Sequence, residues 1–95
     1  MHIISRKALK QFAQRHPDCK TALDHWFHLI EKNHFESFSA LRMIFPSADR
    51  VGDLIVFNLG GNKYRLIASI HFNRQKVYIR HLLTYEEYSR DKWKP

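Results

Sequence analysis

The sequence predicts an α+β fold in which N-terminal helices pack on one face of a small antiparallel sheet. Two observations carry this. Apolar residues recur at three- and four-residue spacing in the first half of the chain and alternate with a period of two from Leu54 onward. Gly60-Gly61 then interrupts the alternating stretch where a hairpin would turn. With 95 residues and no linker-like tract, residues 1–95 are expected to form a single domain.

Ile3-Ile4 fits a short edge strand. Ser5 is a suitable N-cap for a helix over Arg6–His16, with Ala8, Leu9, Phe12 and Ala13 on its buried stripe and Pro17 stopping it. Pro17-Asp18 opens a second helix reaching Lys32: proline suits a first turn, and the acid faces the positive end of the dipole. Cys19, Ala22, Leu23, Trp26, Phe27 and Ile30 form its apolar face. A short third helix fits Ser39–Phe45, ended by Pro46.

Leu54–Leu59, Asn62–Phe72 and Lys76–Leu83 read as three strands. A two-residue Gly60-Gly61 turn would pair Leu59 with Asn62, Asn58 with Lys63, Phe57 with Tyr64, Val56 with Arg65 and Ile55 with Leu66. Tyr64, Leu66, Ala68, Ile70 and Phe72 share one face of the second strand. Val77, Ile79, His81 and Leu83 share one face of the third. Aligning these apolar sets through a loop near Asn73-Arg74 sets Arg65 across from Leu82 or Thr84. It also places Arg65 and Arg80 together on the opposite, solvent-facing side, where alanine substitution should spare the fold. A polar helix or extension over Tyr85–Trp93 closes the chain.

Sixteen Lys and Arg against nine Asp and Glu give a net charge of +7. Lys63, Arg65, Arg74, Lys76 and Arg80 fall in an interval, 62–81, that holds no acid at all. A block of one sign points to a polyanion, nucleic acid first and an acidic protein segment second. Longest apolar runs of a few residues exclude a membrane-spanning helix. One cysteine, Cys19 on an apolar stripe, excludes an intrachain disulfide framework and suits a reducing cytoplasm. Of the seven histidines, His25 and His28 lie one helical turn apart with His16 near in sequence. No Cys or acid stands at convincing ligand spacing beside them, so no metal site is expected. Gly60-Gly61 is not a phosphate-cradling loop, because no helix start follows it. The face is therefore a cationic patch of Lys63, Arg65 and Arg80 with two tyrosines, Tyr85 and Tyr88, at its rim, and Asn62, Lys76 and Tyr78 are further candidates for RNA contact. Arginine forks match phosphates, and rings can stack exposed bases.

The run Phe57-Asn58-Leu59-Gly60-Gly61-Asn62-Lys63-Tyr64-Arg65-Leu66-Ile67 resembles the glycine hairpin of HigB-type toxins in the RelE-like ribonuclease superfamily. The opening Ile3–Leu9, the stretch Phe45–Val51, Val77-Tyr78-Ile79-Arg80 and Thr84-Tyr85-Glu86-Glu87-Tyr88 match that family in order, so the resemblance covers nearly the whole chain. It implies a RelE-like fold and the toxin of a type II toxin–antitoxin pair. Such a toxin is a metal-independent endoribonuclease (mRNA interferase) needing no cofactor, which cuts mRNA on or off the ribosome by 2′-hydroxyl attack on the adjacent phosphate. Its partner would be a helix-turn-helix antitoxin of the HigA kind. Carried over by position, Arg65 and Arg80 hold the phosphate, while Tyr85 and Tyr88 complete the catalytic set. Asn62, Lys63, Lys76 and Tyr78 would touch RNA. The family's closing motif is Thr-His-x-Glu-Tyr-Asp; here Tyr85 stands at the histidine position and Ser89 at the aspartate. A histidine titrates near neutral pH and a phenol near 10, so Tyr85 suits positioning better than proton abstraction. The alternative is a non-catalytic RNA- or protein-binding module of the same fold. A DNA-binding regulator fits less well, since no helix-turn-helix pattern with a basic recognition helix is present.

Overall fold

The computed structural model describes residues 1–4 and 6–94. Ten elements follow one another: β1 (His2–Ile4), α1 (Arg6–Arg15), a 3-10 turn (Pro17–Cys19), α2 (Lys20–Lys32), α3 (Phe38–Ile44), β2 (Asp49–Val51), β3 (Leu54–Leu59), β4 (Tyr64–His71), β5 (Lys76–Thr84) and α4 (Tyr85–Ser89). The expected N-cap, Ser5, lies outside the described residues. Helix α2 starts three residues later than expected, because Pro17-Asp18-Cys19 forms a 3-10 turn first, with the Cys19 amide donating to the His16 carbonyl. Helix α3 starts one residue earlier, capped by Ser37, whose hydroxyl accepts from the Ala40 amide at 3.2 Å.

The strands form one five-stranded sheet in the order β1-β5-β4-β3-β2. The α+β class holds, but the sheet is mixed: β1 runs parallel to β5, and the rest pairs antiparallel. Strand β2 was not foreseen. It has three residues, and Asp49-Arg50-Val51 shows too little alternation to stand out.

The first hairpin differs from expectation in register. Leu59 pairs with Tyr64, Asn58 with Arg65, Phe57 with Leu66, Val56 with Ile67 and Ile55 with Ala68. The turn is longer because Asn62 joins both glycines at positive φ, and the Lys63 amide closes it on the Gly60 carbonyl at 3.3 Å. The shift is by two residues, so each side chain keeps its expected face. Gly60 is required twice over. Its φ is +58°, and a Cβ there would sit 3.2 Å from the Tyr64 ring.

The second hairpin holds the expected register from His71↔Lys76 to Ala68↔Ile79, then breaks. A bulge between Ile67 and Ala68 makes the next pairs Ile67↔His81, Leu66↔Leu82, Arg65↔Leu83 and Tyr64↔Thr84. One extra residue on β5 inverts the parity of everything after it. His81 and Leu83, expected on the core face, therefore leave it, and Leu82 packs toward the core instead.

The two faces close differently. Toward the helices, Phe12, Leu23, Trp26 and Ile30 meet Ile55, Phe57, Leu66, Ala68, Val77 and Ile79 in the main core. Trp26 and Phe45 each pack edge-on to the Phe57 ring. On the outer face a smaller cluster, Val56, Ile67 and Trp93 flanked by Leu83 and Tyr88, is covered by the C-terminal segment. Among the described residues, no helix is long and apolar enough to cross a membrane.

Candidate RNA-facing site

At one end of β4, the hairpin turn, the end of β5 and the start of α4 converge. Thr84 both ends β5 and caps α4: its hydroxyl accepts from the Glu87 amide (3.2 Å), and the Glu87 carboxylate accepts from the Thr84 amide (2.9 Å). This capping box fixes where a five-residue helix begins, a matter that propensity alone would leave open. The backbone hydrogen bond from Thr84 holds the Glu87 carboxyl below the usual carboxylate range, with smaller pulls from His16 and Arg15. The Tyr85 amide then donates to the Lys63 carbonyl at 2.9 Å, tying α4 to the hairpin.

These constraints place Arg65 between two rings. Its guanidinium carbon lies 5.1 Å from the Tyr85 centroid and 5.2 Å from that of Tyr88. Its Nη1 donates to the Asn62 and Tyr64 carbonyls, both at 3.0 Å. Behind Tyr88, Trp93 stacks at 5.0 Å and 13°, and its indole N–H donates to the Tyr88 carbonyl. The order Tyr85–Arg65–Tyr88–Trp93 is thus a column of alternating roles: an exposed phenol, a fixed cation, a half-buried phenol and a buried indole backing it. Cation–π contacts and two backbone acceptors orient the guanidinium before any ligand arrives.

The expectation that Arg65 is a solvent-facing side chain is corrected here. It faces away from the main core as predicted, yet is only 8% exposed, because α4 and the tail fold over it. Arg80, in contrast, is exposed. It sits at the bulge with its guanidinium 5.7 Å from the Tyr78 ring, and His71 packs edge-on to the same ring at 5.2 Å. The predicted residues therefore gather in two groups. Arg65, Tyr85, Tyr88 and the turn residues Asn62 and Lys63 form one, at the end of the sheet. Arg80 and Tyr78 form the other, with Lys76 further along β5. Leu83 is opposite Arg65, so the groups stand about 10 Å apart along β5, at roughly 3.3 Å per residue. Of the two acids at this end, Glu87 is held by Thr84, and Glu86 faces Arg90 at 3.4 Å; neither is a counterion of Arg65.

Four further residues border the site without being marked for it by the sequence. Trp93 anchors the tail and backs Tyr88. His71 supports Tyr78. His16 and Asp18 border the helix side of the same end: the Tyr64 hydroxyl donates to Asp18 at 2.7 Å, and the His16 ring lies 5.3 Å from that of Tyr64. The Tyr64 hydrogen bond holds the Asp18 carboxyl below its usual range, and the same bond pushes the Tyr64 phenol up to about 12. The Thr-x-x-Glu capping signature at Thr84 and Glu87 was legible in the sequence and would have located the start of α4. Cys19 is fully buried, and burial pushes its thiol up to about 11, which fits a structural thiol. Among the described residues, no group of three or more His, Cys, Asp or Glu side chains could hold a metal ion.

Together these features define a small basic α+β domain with a clamped arginine and a second, exposed arginine on one side of its sheet. Residues 19–91 match the HigB toxin family, described as the RelE-like toxic component of a toxin–antitoxin system. The chain is 42% identical over 91 residues to the mRNA interferase toxin HigB of Escherichia coli K12, covering 93% of this chain and 88% of that protein. It matches the mRNA interferase HigB of Shigella flexneri equally well. The mRNA interferase HigB of Escherichia coli O6:H1 is 29% identical over 93 residues, covering 95% and 90%. The chain belongs to the HigB toxin family.

Proposed function

We propose that this chain is an mRNA-cleaving toxin, the toxic half of a toxin–antitoxin pair, and that the Arg65 column with Arg80 is where the RNA backbone is held. The observation that carries the reading is the clamped guanidinium of Arg65, oriented at the rim of an acid-poor sheet face beside an exposed phenol. The reaction is a transesterification. The ribose 2′-oxygen attacks the adjacent phosphorus, the P–O5′ bond breaks, and a 2′,3′-cyclic phosphate and a 5′-hydroxyl remain. It requires in-line geometry and cations on the phosphate more than it requires a cofactor. Arg65 supplies fixed charge, Arg80 mobile charge, Tyr85 and Tyr88 orient the sugar and base, and Asn62, Lys63, Lys76 and Tyr78 extend the contact. No metal takes part. The antitoxin of such a pair, of the HigA helix-turn-helix kind, is the partner that restrains it, and the cytoplasm is where it meets mRNA.

The test is cleavage of a defined RNA by the purified chain in EDTA. Products ending in a 2′,3′-cyclic phosphate are expected. Absence of cleavage, with or without ribosomes, favours the second reading, a non-catalytic RNA-binding module. The observation favouring that module is Tyr85, a phenol where the resembling family carries an imidazole.

A further inference from the structure

On the outer face, beside Tyr88 and Trp93, a cavity of about 210 Å³ opens between β5 and the C-terminal segment. His81, Leu83, Glu87, Arg90, Lys92 and Trp93 line it. The volume is below the ~300 Å³ where pockets for drug-sized ligands begin, so it suits a group the size of one nucleobase. The cavity is a product of the bulge in β5. Without that extra residue, the parity of β5 would turn His81 and Leu83 into the main core; with it they face outward under the tail. Bulges next to sites commonly re-aim side chains in this way.

The chemistry of the lining is specific. Leu83 and Trp93 give an apolar and aromatic wall for a base. Arg90 and Lys92 bring positive charge to a nucleotide's phosphate. Glu87 brings a carboxylate, and a carboxylate can only accept hydrogen bonds. The hydrogen bond from the Thr84 amide keeps it anionic while fixing its place in the first turn of α4. Guanine presents N1–H and N2–H side by side on its Watson–Crick edge and satisfies such an acceptor twice. Uracil presents a single N–H between two carbonyl oxygens, and those oxygens face the carboxylate unfavourably.

We propose that this cavity is a base-selective subsite that receives the nucleobase next to the cut and favours guanine over uracil through Glu87. The proposal rests on the RNA-cleaving reading above and adds to it the choice of base. Glu87 lies between Tyr85 and Tyr88 on α4, and Trp93 both lines the cavity and backs Tyr88, so the subsite is continuous with the Arg65 column.

The experiment uses RNA pools randomised around the cut, with cleavage ends counted by sequencing. Wild type should favour guanine over uracil at one flanking position by about tenfold, the size of one good bidentate contact. Glu87→Gln keeps the capping box, since glutamine serves that role as well as glutamate; it should reduce the ratio to about twofold. His81→Trp, which fills the cavity at a partly exposed position, should remove the same preference. Equal use of the four bases by wild type, or an unchanged ratio in both variants, overturns the proposal while leaving the cleavage reading intact. If wild type cleaves nothing, binding of 2′-O-methyl RNA with guanine or uracil at the central position decides it. A guanine preference sensitive to Glu87→Gln sustains the subsite without catalysis, and equal affinities overturn it.

Discussion

The two faces of the sheet are made from the same strands and serve opposite ends. Toward α1 and α2, β4 contributes Leu66 and Ala68, each fully buried in a continuous apolar core. Away from the helices, the same strand contributes Arg65 and Ile67, and only part of that face is closed, by Trp93 and α4. Alternation at a period of two lets one strand hold the fold with one residue and the site with the next. Tyr64 and Arg65 make the contrast sharpest. Adjacent in sequence, one anchors on Asp18 beneath the helices and the other is gripped by Tyr85 and Tyr88 on the outer side. A site built on a strand inherits the rigidity of the core behind it, which suits chemistry that depends on geometry.

The contrast breaks most visibly at Arg65, which belongs to both duties. Arg65→Ala should abolish cleavage, on the order of 10³-fold or more, and should also destabilise the fold by roughly 2–4 kcal/mol, from two cation–π contacts and two backbone carbonyls left unsatisfied. Denaturant melts and cleavage rates on the same sample check both halves. An unchanged melt would show that the clamp carries no structural load.

Arg80 sharpens the comparison by lacking the structural half. It is exposed, and its guanidinium lies over the Tyr78 ring. Arg80→Ala should lower RNA affinity and cleavage by about 10- to 100-fold, weaken the salt dependence of binding, and leave stability within ~0.5 kcal/mol. Equal salt slopes for wild type and variant would remove Arg80 from the phosphate contacts.

Tyr85 separates positioning from proton transfer on the outer face. It is 55% exposed, and its ring carries one side of the Arg65 clamp. Tyr85→Phe retains that ring, so cleavage should stay within about threefold of wild type if the residue positions RNA, whereas a lost proton-transfer group costs on the order of 10²-fold. Tyr85→His should raise the rate between pH 6 and 8, because imidazole exchanges protons there. Rates of the three proteins across pH 6 to 9 distinguish the roles.

How much of this was legible in the sequence follows from what periodicity can carry. The face of every β4 residue was readable, because the hairpin error was an even shift and parity survives it. The faces of His81 and Leu83 were not, since a bulge adds an odd shift and no residue in Val77–Thr84 announces it. Charge and parity mark Arg65 with Tyr85 and Tyr88 beside it, the resemblance adds their catalytic roles, and the structure brings all three into contact. That Arg65 would be buried was out of reach, because it depends on Trp93 folding a polar tail back over β3 and β4, a tertiary contact with no local signal.

The smallest expected effect tests the helix-facing half of the Tyr64–Arg65 pair. The Tyr64 hydroxyl donates to both Asp18 oxygens, at 2.7 and 2.8 Å. The bond holds the Asp18 carboxyl below its usual range, so its contribution to stability is complete above the ordinary aspartate range and is lost as pH falls through the lower folded value. The same bond pushes the Tyr64 phenol from 10 up to about 12, so that contribution is complete below pH 10 and is lost as pH rises through about 12. Tyr64→Phe keeps the ring against Phe12 and removes both dependences. Wild type should therefore exceed the variant in stability by a constant amount from about pH 5 to 9, and the gap should narrow below pH 4 and above pH 10. Urea melts at pH 3, 7 and 10.5 measure it. Since Tyr64 points away from the RNA-facing side, neutral-pH cleavage should remain within about twofold of wild type, inside the range of substitutions away from a site. A large loss of cleavage with no change in the pH profile would mean that the two faces are coupled through β4 rather than divided by it.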